Sequence, residues 1–245
     1  MREHTAALTV AATCVLVAAC GGGGNEGATS TTPSTLLSPT TSAPAPPTTS
    51  TPPPPVAESA LDGLLLSPAE IDTVVGATGM AVAGTSTSLA EDITVPPDAP
   101  EEKKACVGIA GTAEAQAYAG SGSTAVRDQA LRAPNDSGAT LSAGQAVVLF
   151  PTADEAATFF AESAQKWPLC RGYNAGGSPV TVGDVSSDNG MLVTSITIQS
   201  EDEPTLCERA LTMKNNIVID VSTCGGSSDS AVRIADQIAA RVPGE

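Results

Sequence analysis

Leu206-Cys207-Glu208-Arg209-Ala210-Leu211-Thr212-Met213-Lys214-Asn215-Asn216-Ile217-Val218-Ile219-Asp220-Val221-Ser222-Thr223-Cys224 reads as two strands around a two-residue turn. Asn suits that turn because it tolerates positive φ. With Asn215 and Asn216 as the loop, cross-strand partners have numbers with a constant sum: 215 plus 216 is 431, and so is 207 plus 224. Counted outward from the hydrogen-bonded closing pair Lys214/Ile217, odd steps are non-hydrogen-bonded, and Cys207/Cys224 falls on one. Cα atoms at such a site lie about 4.5 Å apart, within a disulfide's range. Cys207–Cys224 is therefore the expected bridge, and Cys106–Cys170 follows by elimination among the four cysteines of the folded part.

Working outward, strand-like runs occupy Thr124 to Leu131, Gln145 to Phe150 and Leu192 to Gln199. Helix starts alternate with them. Ser67-Pro68-Ala69-Glu70 and Thr152-Ala153-Asp154-Glu155 have the spacing of capping boxes, in which a hydroxyl and a carboxylate each satisfy an unpaired amide. Asp98 and Glu101 have the same spacing and predict a helix carrying Cys106. The Thr152 helix runs to about Trp167, where Pro168 ends it. A last helix spans about Asp229 to Val242, with Val232, Ala235, Ile238, Ala239 and Val242 on one stripe. The fold class is α+β: an antiparallel β-sheet flanked by helices, braced by two disulfides, behind a disordered N-terminal tether.

One face of the hairpin carries Cys207, Arg209, Leu211 and Met213 beside Val218, Asp220, Ser222 and Cys224. Arg209 and Asp220 are the candidate residues of a ligand cleft on an open polar face, Arg209 being able to fork onto a carboxylate or phosphate. The plainer reading is a diagonal cross-strand ion pair of little energetic weight. Ile217, Ile219 and Val221, on the other face, suit burial under a helix.

Composition narrows the chemistry. The 245 residues hold 11 Lys+Arg against 27 Asp+Glu, a formal charge of −16, which repels phosphodiester backbones and argues against nucleic-acid binding. The chain's one histidine is His4, inside a segment expected to be cleaved. Without imidazole, Ser-His-Asp and Cys-His nucleophiles and most zinc sites are excluded. No Cys-x-x-Cys occurs. Glu101-Glu102 and Glu201-Asp202-Glu203 sit beside proline without a calcium-loop pattern and read as solvated surface, so no metal and no cofactor is expected. Trp167, the single tryptophan, reads as core at a helix end, with a ligand platform as the alternative.

Residues 1–19 read as a lipoprotein signal peptide. Ala6 to Ala19 is uncharged and mostly apolar, shorter than the ~20 helical residues a bilayer span needs. Val17-Ala18-Ala19-Cys20-Gly21 is similar to a bacterial lipobox, which implies diacylation of Cys20. Cys14 is a rival anchor, although apolar Val15-Leu16-Val17 follows it. Cleavage after Ala19 by an ordinary secretory route is the other alternative. Residues 20–56 form a Gly/Thr/Pro/Ser-rich linker that cannot bury a core. Stretched as polyproline, Gly27 to Pro55 would reach roughly 90 Å at about 3.1 Å per residue. Gly21 to Gly24 is no phosphate loop, because no strand precedes it and no lysine follows. Residues 57–245 read as one domain.

Leu64-Leu65-Leu66-Ser67-Pro68-Ala69-Glu70-Ile71, Tyr118-Ala119-Gly120-Ser121-Gly122, Gln145-Ala146-Val147-Val148-Leu149-Phe150-Pro151 and Trp167-Pro168-Leu169-Cys170 carry a resemblance. Together with the order of the four cysteines, they resemble the mycobacterial PknH-like extracellular sensor domains, found on a membrane serine/threonine kinase and on lipoproteins without a kinase. The likeness runs from about Leu61 to Val242. It implies an α+β domain with two disulfides and a deep V-shaped cleft for an unidentified ligand. No kinase domain and no transmembrane helix are read from the chain, so it is not expected to pass a signal inward by itself.

The reading that follows is a non-enzymatic, lipid-anchored ligand-binding module on the extracytoplasmic face of the cell membrane. Its ligand would be a small molecule or envelope lipid. The alternative is a protein-interaction module for a membrane kinase or another envelope component. An enzyme ranks third, because the sequence nominates no convergent pair of acids.

Overall fold

The computed structural model describes residues 53–133, 141–201 and 203–244. The signal peptide, Cys14, Cys20, Gly21 to Gly24, most of the linker and Asp202 lie outside the described residues. Among the described residues, five α-helices and eight strands run in the order α1 (Pro68–Val75), β1 (Ala81–Ser86), α2 (Glu101–Ala105), α3 (Val107–Ala110), β2 (Ala125–Arg132), β3 (Ser142–Leu149), α4 (Ala153–Lys166), β4 (Gly172–Ala175), β5 (Ser178–Val182), β6 (Met191–Ile198), β7 (Thr205–Lys214), β8 (Ile217–Cys224) and α5 (Ser230–Arg241). The strands form one antiparallel sheet in the order β1-β2-β3-β8-β7-β6-β5-β4.

The β7–β8 hairpin sits at the centre of that sheet with Lys214 opposite Ile217 and Cys207 opposite Cys224. Asn215 takes the positive φ of the turn, 54°. Cys207 and Cys224 are bonded with Cα atoms 4.0 Å apart, and Cys106 is bonded to Cys170 at 4.9 Å.

Both faces of the hairpin are covered. Ile217, Ile219 and Val221 pack under α1 and α5 with Ile71, Val74, Ile234 and Ile238. Val218 and Leu211 pack on the opposite face with Ile109, Phe150, Phe159 and Trp167. Each such apolar side chain contributes roughly 1.5–3 kcal/mol on burial. Two covered faces explain why Ile217 to Val221 are all buried, the pattern of a central strand between layers. The open polar face expected for Arg209 and Asp220 is thus absent: α3 and the chain following it lie over it.

Three strands escaped the sequence reading. β1 and β4 are edges exposed along most of their length, and β5 is short and carries Pro179. With one face or one side in water, β1 and β4 show little alternation, while β5 buries Val180 and Val182 on either side of exposed Thr181 over only five residues. Asp98 forms no cap; the helix before Cys106 begins at Glu101 after Pro100. At the two other starts, Glu70 Oε2 accepts from the Ser67 amide (2.9 Å) and hydroxyl (2.7 Å), and Thr152 Oγ1 accepts from the Glu155 amide at 3.2 Å. In α5 the buried line is Ala231, Ile234, Ala235 and Ile238, with Val242 buried just beyond. Val232 and Ala239 fall on its margin, so the stripe is rotated from the expected one.

The N-terminal side of the domain is latched to the hairpin turn. Asn216 Oδ1 accepts from the Val56 amide at 2.7 Å and its Nδ2 donates to Val56 O at 3.2 Å, while Asn215 Nδ2 donates to Pro54 O at 2.9 Å.

Candidate cleft at the far end of the sheet

Sheet register brings β2, β3 and β8 together so that Arg132, Ser142 and Cys224 mark one end of the sheet and Ala125, Leu149 and Ile217 the other. The Asn215–Asn216 turn lies at the second end. At the first end a cleft of about 720 Å³ opens between these strands, the chain around Asp92 and Thr112–Glu114, and the tip of the β4–β5 hairpin.

Its polar lining includes Glu114, Asp128, Thr112 and Ser222. Glu114 is 3 % exposed, and its Oε2 accepts a long bond from the Ile93 amide, 3.3 Å. Burial raises its carboxyl to about 7, with the Ile93 amide pulling it back only in part. Asp128, on β2, accepts from Thr112 Oγ1 at 2.9 Å, and burial raises it to about 6. At neutral pH the cleft therefore mixes neutral and charged carboxyls, able to donate or accept hydrogen bonds. Gly144 gives β3 the close approach this needs, since a Cβ there would stand 2.9 Å from Ser222 Oγ.

Arg209 and Asp220 do not line this cleft; they lie behind its wall, 1 % and 2 % exposed. Arg209 Nη2 meets Asp220 Oδ1 at 2.6 Å and donates to Gly108 O (2.9 Å) and Gly111 O (3.0 Å), while Nη1 donates to Val221 O at 2.8 Å. Asp220 Oδ2 accepts from the Ala113 amide at 2.9 Å and from the Tyr118 hydroxyl at 3.2 Å. Ala113 has φ of 50°, a left-handed conformation costing roughly 1–2 kcal/mol for a residue with a Cβ. The ion pair thus grips both ends of the segment 108–118, from which Thr112 and Glu114 enter the cleft. Its role is positioning, and the fork of Arg209 is spent on backbone carbonyls.

Glu114 and Asp128 were not nominated from the sequence. Asp128 left one signal, an acid inside a strand on the face shared by Val126 and Ala130. Glu114 left none. Glu101 and Glu102 are exposed, and no group of three or more metal-ligating side chains occurs among the described residues. Trp167 is buried, with the Arg209 guanidinium carbon 5.7 Å from its ring centre.

Comparison with known proteins places this geometry. The family described as the PknH-like extracellular domain matches residues 56–241. Serine/threonine-protein kinases PknH of Mycobacterium bovis and Mycobacterium tuberculosis are each 35% identical over 195 residues, 76% of this chain but only 31% and 29% of the kinases. The chain therefore spans about a third of those relatives. The crystal structure of the extracellular domain of PknH from Mycobacterium tuberculosis superposes with a TM-score of 0.67 at 31% identity, covering 77% of this chain and 97% of that one. The likeness is to an extracellular domain, which points to an extracytoplasmic location and not to a kinase catalytic domain. The chain belongs to the family of PknH-like extracellular domains.

Proposed function

We propose that the protein is a non-enzymatic ligand-binding module, anchored to the extracytoplasmic face of the cell membrane through a lipid on Cys20. The observation that carries the reading is the cleft of about 720 Å³ with two desolvated carboxyls, Glu114 and Asp128, in its wall. Concave sites with a few convergent polar groups and perturbed acids are where small molecules bind. Hydroxyls at Thr112 and Ser222 beside acids that can donate or accept favour a polar molecule. Native mass spectrometry of freshly purified protein should retain a small molecule that Asp128→Ala and Gly144→Val lose. Identical retention by both variants would remove the cleft from the proposal. For the anchor, Cys20→Ala should release the protein from membranes; continued membrane partitioning would count against lipidation.

A protein partner in the envelope, such as a membrane kinase, is the second reading. It is favoured by β1, whose six residues form an exposed, uncharged edge strand able to extend its ladder with another chain. Crosslinking in cells that traps no protein through residues 81–86 would argue against it.

A further inference from the structure

Trp167 is 2 % exposed, yet its indole N–H has no acceptor among the described residues. Arg209 Nε is the side-chain polar atom both fully buried and unpartnered there, so the indole nitrogen must reach open space. That space is a pocket of about 220 Å³ between α2, α3, Gln116–Ala117 and the end of α4, with no lining residue in common with the cleft. Gly108 keeps the approach clear: a Cβ at that position would lie 3.2 Å from Nε1.

The pocket gathers cations. Lys104 and Lys166 line it together with one acid, Glu101, in a chain of net charge −16. Each is held by a solvent-exposed partner, Glu101 at 2.9 Å and Glu162 at 2.8 Å. Exposed pairs of this kind are worth roughly 0–1 kcal/mol, so either ammonium can turn to a better-desolvated anion. Ala105, Ala117 and Leu169 supply apolar wall, and Leu169 is 46 % exposed. An indole nitrogen carries a donor and no acceptor, and this one faces the pocket without a protein acceptor among the described residues. A ligand oxygen would complete this one.

We propose that this pocket is a second binding site, for a small carboxylate with a short apolar chain. The carboxylate accepts from Trp167 Nε1 and is flanked by the ammonium groups of Lys104 and Lys166, while its chain lies against Ala117 and Leu169. The site is separate from the cleft and does not depend on it.

Because the chain has a single tryptophan, its indole N–H gives one nuclear magnetic resonance signal and the emission spectrum has one indole source. Full-length protein titrated with hexanoate at constant ionic strength should show a saturable downfield shift of that proton and a parallel change in emission. Lys104→Met with Lys166→Met, both at the surface, should weaken binding roughly tenfold or more, the value of a lost charge-assisted bond. Gly108→Ala suits a helix backbone and should keep the fold while blocking the site. Inorganic phosphate and chloride should give little shift. Absence of a saturable shift overturns the proposal, as does a shift unchanged in the lysine variant or in Gly108→Ala. Equal response to phosphate overturns the carboxylate-with-chain assignment.

Discussion

Asp220→Ala is the most informative perturbation of the cleft wall. It deletes an acceptor that serves Arg209 at 2.6 Å, the Ala113 amide at 2.9 Å and the Tyr118 hydroxyl at 3.2 Å, all out of reach of water. Arg209 then keeps its charge at 1 % exposure with only carbonyl oxygens around it. Removing one partner of a buried ion pair costs about 3–5 kcal/mol, because the remaining charge is uncompensated. For a domain of this size, that converts to a fall in Tm of about 6–20 °C. Urea denaturation followed by Trp167 emission measures the loss at a fluorophore 5.7 Å from the guanidinium. The companion Arg209→Met/Asp220→Leu removes both charges and should be non-additive with the singles by about 1–3 kcal/mol. It should not recover fully, since Gly108 O, Gly111 O and Val221 O lose a donor. A loss below about 1 kcal/mol for Asp220→Ala, or additive single effects, would refute the view that a desolvated pair holds the segment 108–118.

Stability should also fall as pH rises from about 4.5 to about 7. Glu114 is raised from its ordinary 4.5 to about 7, so across that window the folded state holds a proton that the unfolded chain has released, and the slope is negative. Glu114→Gln should flatten the profile in denaturation runs at stepped pH; an unchanged slope sinks the assignment. Removing Cys106–Cys170, with a separation of 64 residues, should cost about 4 kcal/mol and removing Cys207–Cys224, with 17, about 3 kcal/mol on the chain-entropy model. Calorimetry of the paired Ser variants gives the order, and the reverse order would contradict the model. Asn216→Ala leaves the Val56 amide and the carbonyls of Val56 and Phe150 without partners, at about 1–3 kcal/mol for each buried group left unsatisfied. Limited proteolysis should then cut near Val56, and equal protection in both proteins would count against the latch.

Local signals in the chain carried far because the rules behind them are local. The Asn215–Asn216 turn fixes which residues oppose one another, and with it the pairing of Cys207 and Cys224, since strand register counts outward from a turn. Ser67 and Thr152 mark helix starts because a cap needs only a hydroxyl and an acid three residues on. The same reasoning failed where burial comes from distant chain. β1 and β4 have little periodicity because they lie at the sheet's edges, and β5, where Val180 and Val182 alternate with Thr181, is only five residues long. The stripe of α5 was misjudged because small residues such as Ala231 and Ala239 give no sign of which side faces the sheet.

By itself, then, the sequence determined the α+β class, the central hairpin and both bridges. The tertiary structure decided what the polar residues do. The register set by the Asn215–Asn216 turn makes Arg209 and Asp220 diagonal neighbours, but only the segment 108–118 lying over them turns an exposed pair into a buried clamp. Glu114 and Asp128 become a site only when that segment and β2 meet at one end of the sheet. The physical reason is desolvation: whether a charged side chain binds a ligand, holds the backbone or rests in water depends on what covers it, and the cover is supplied by residues remote in the chain.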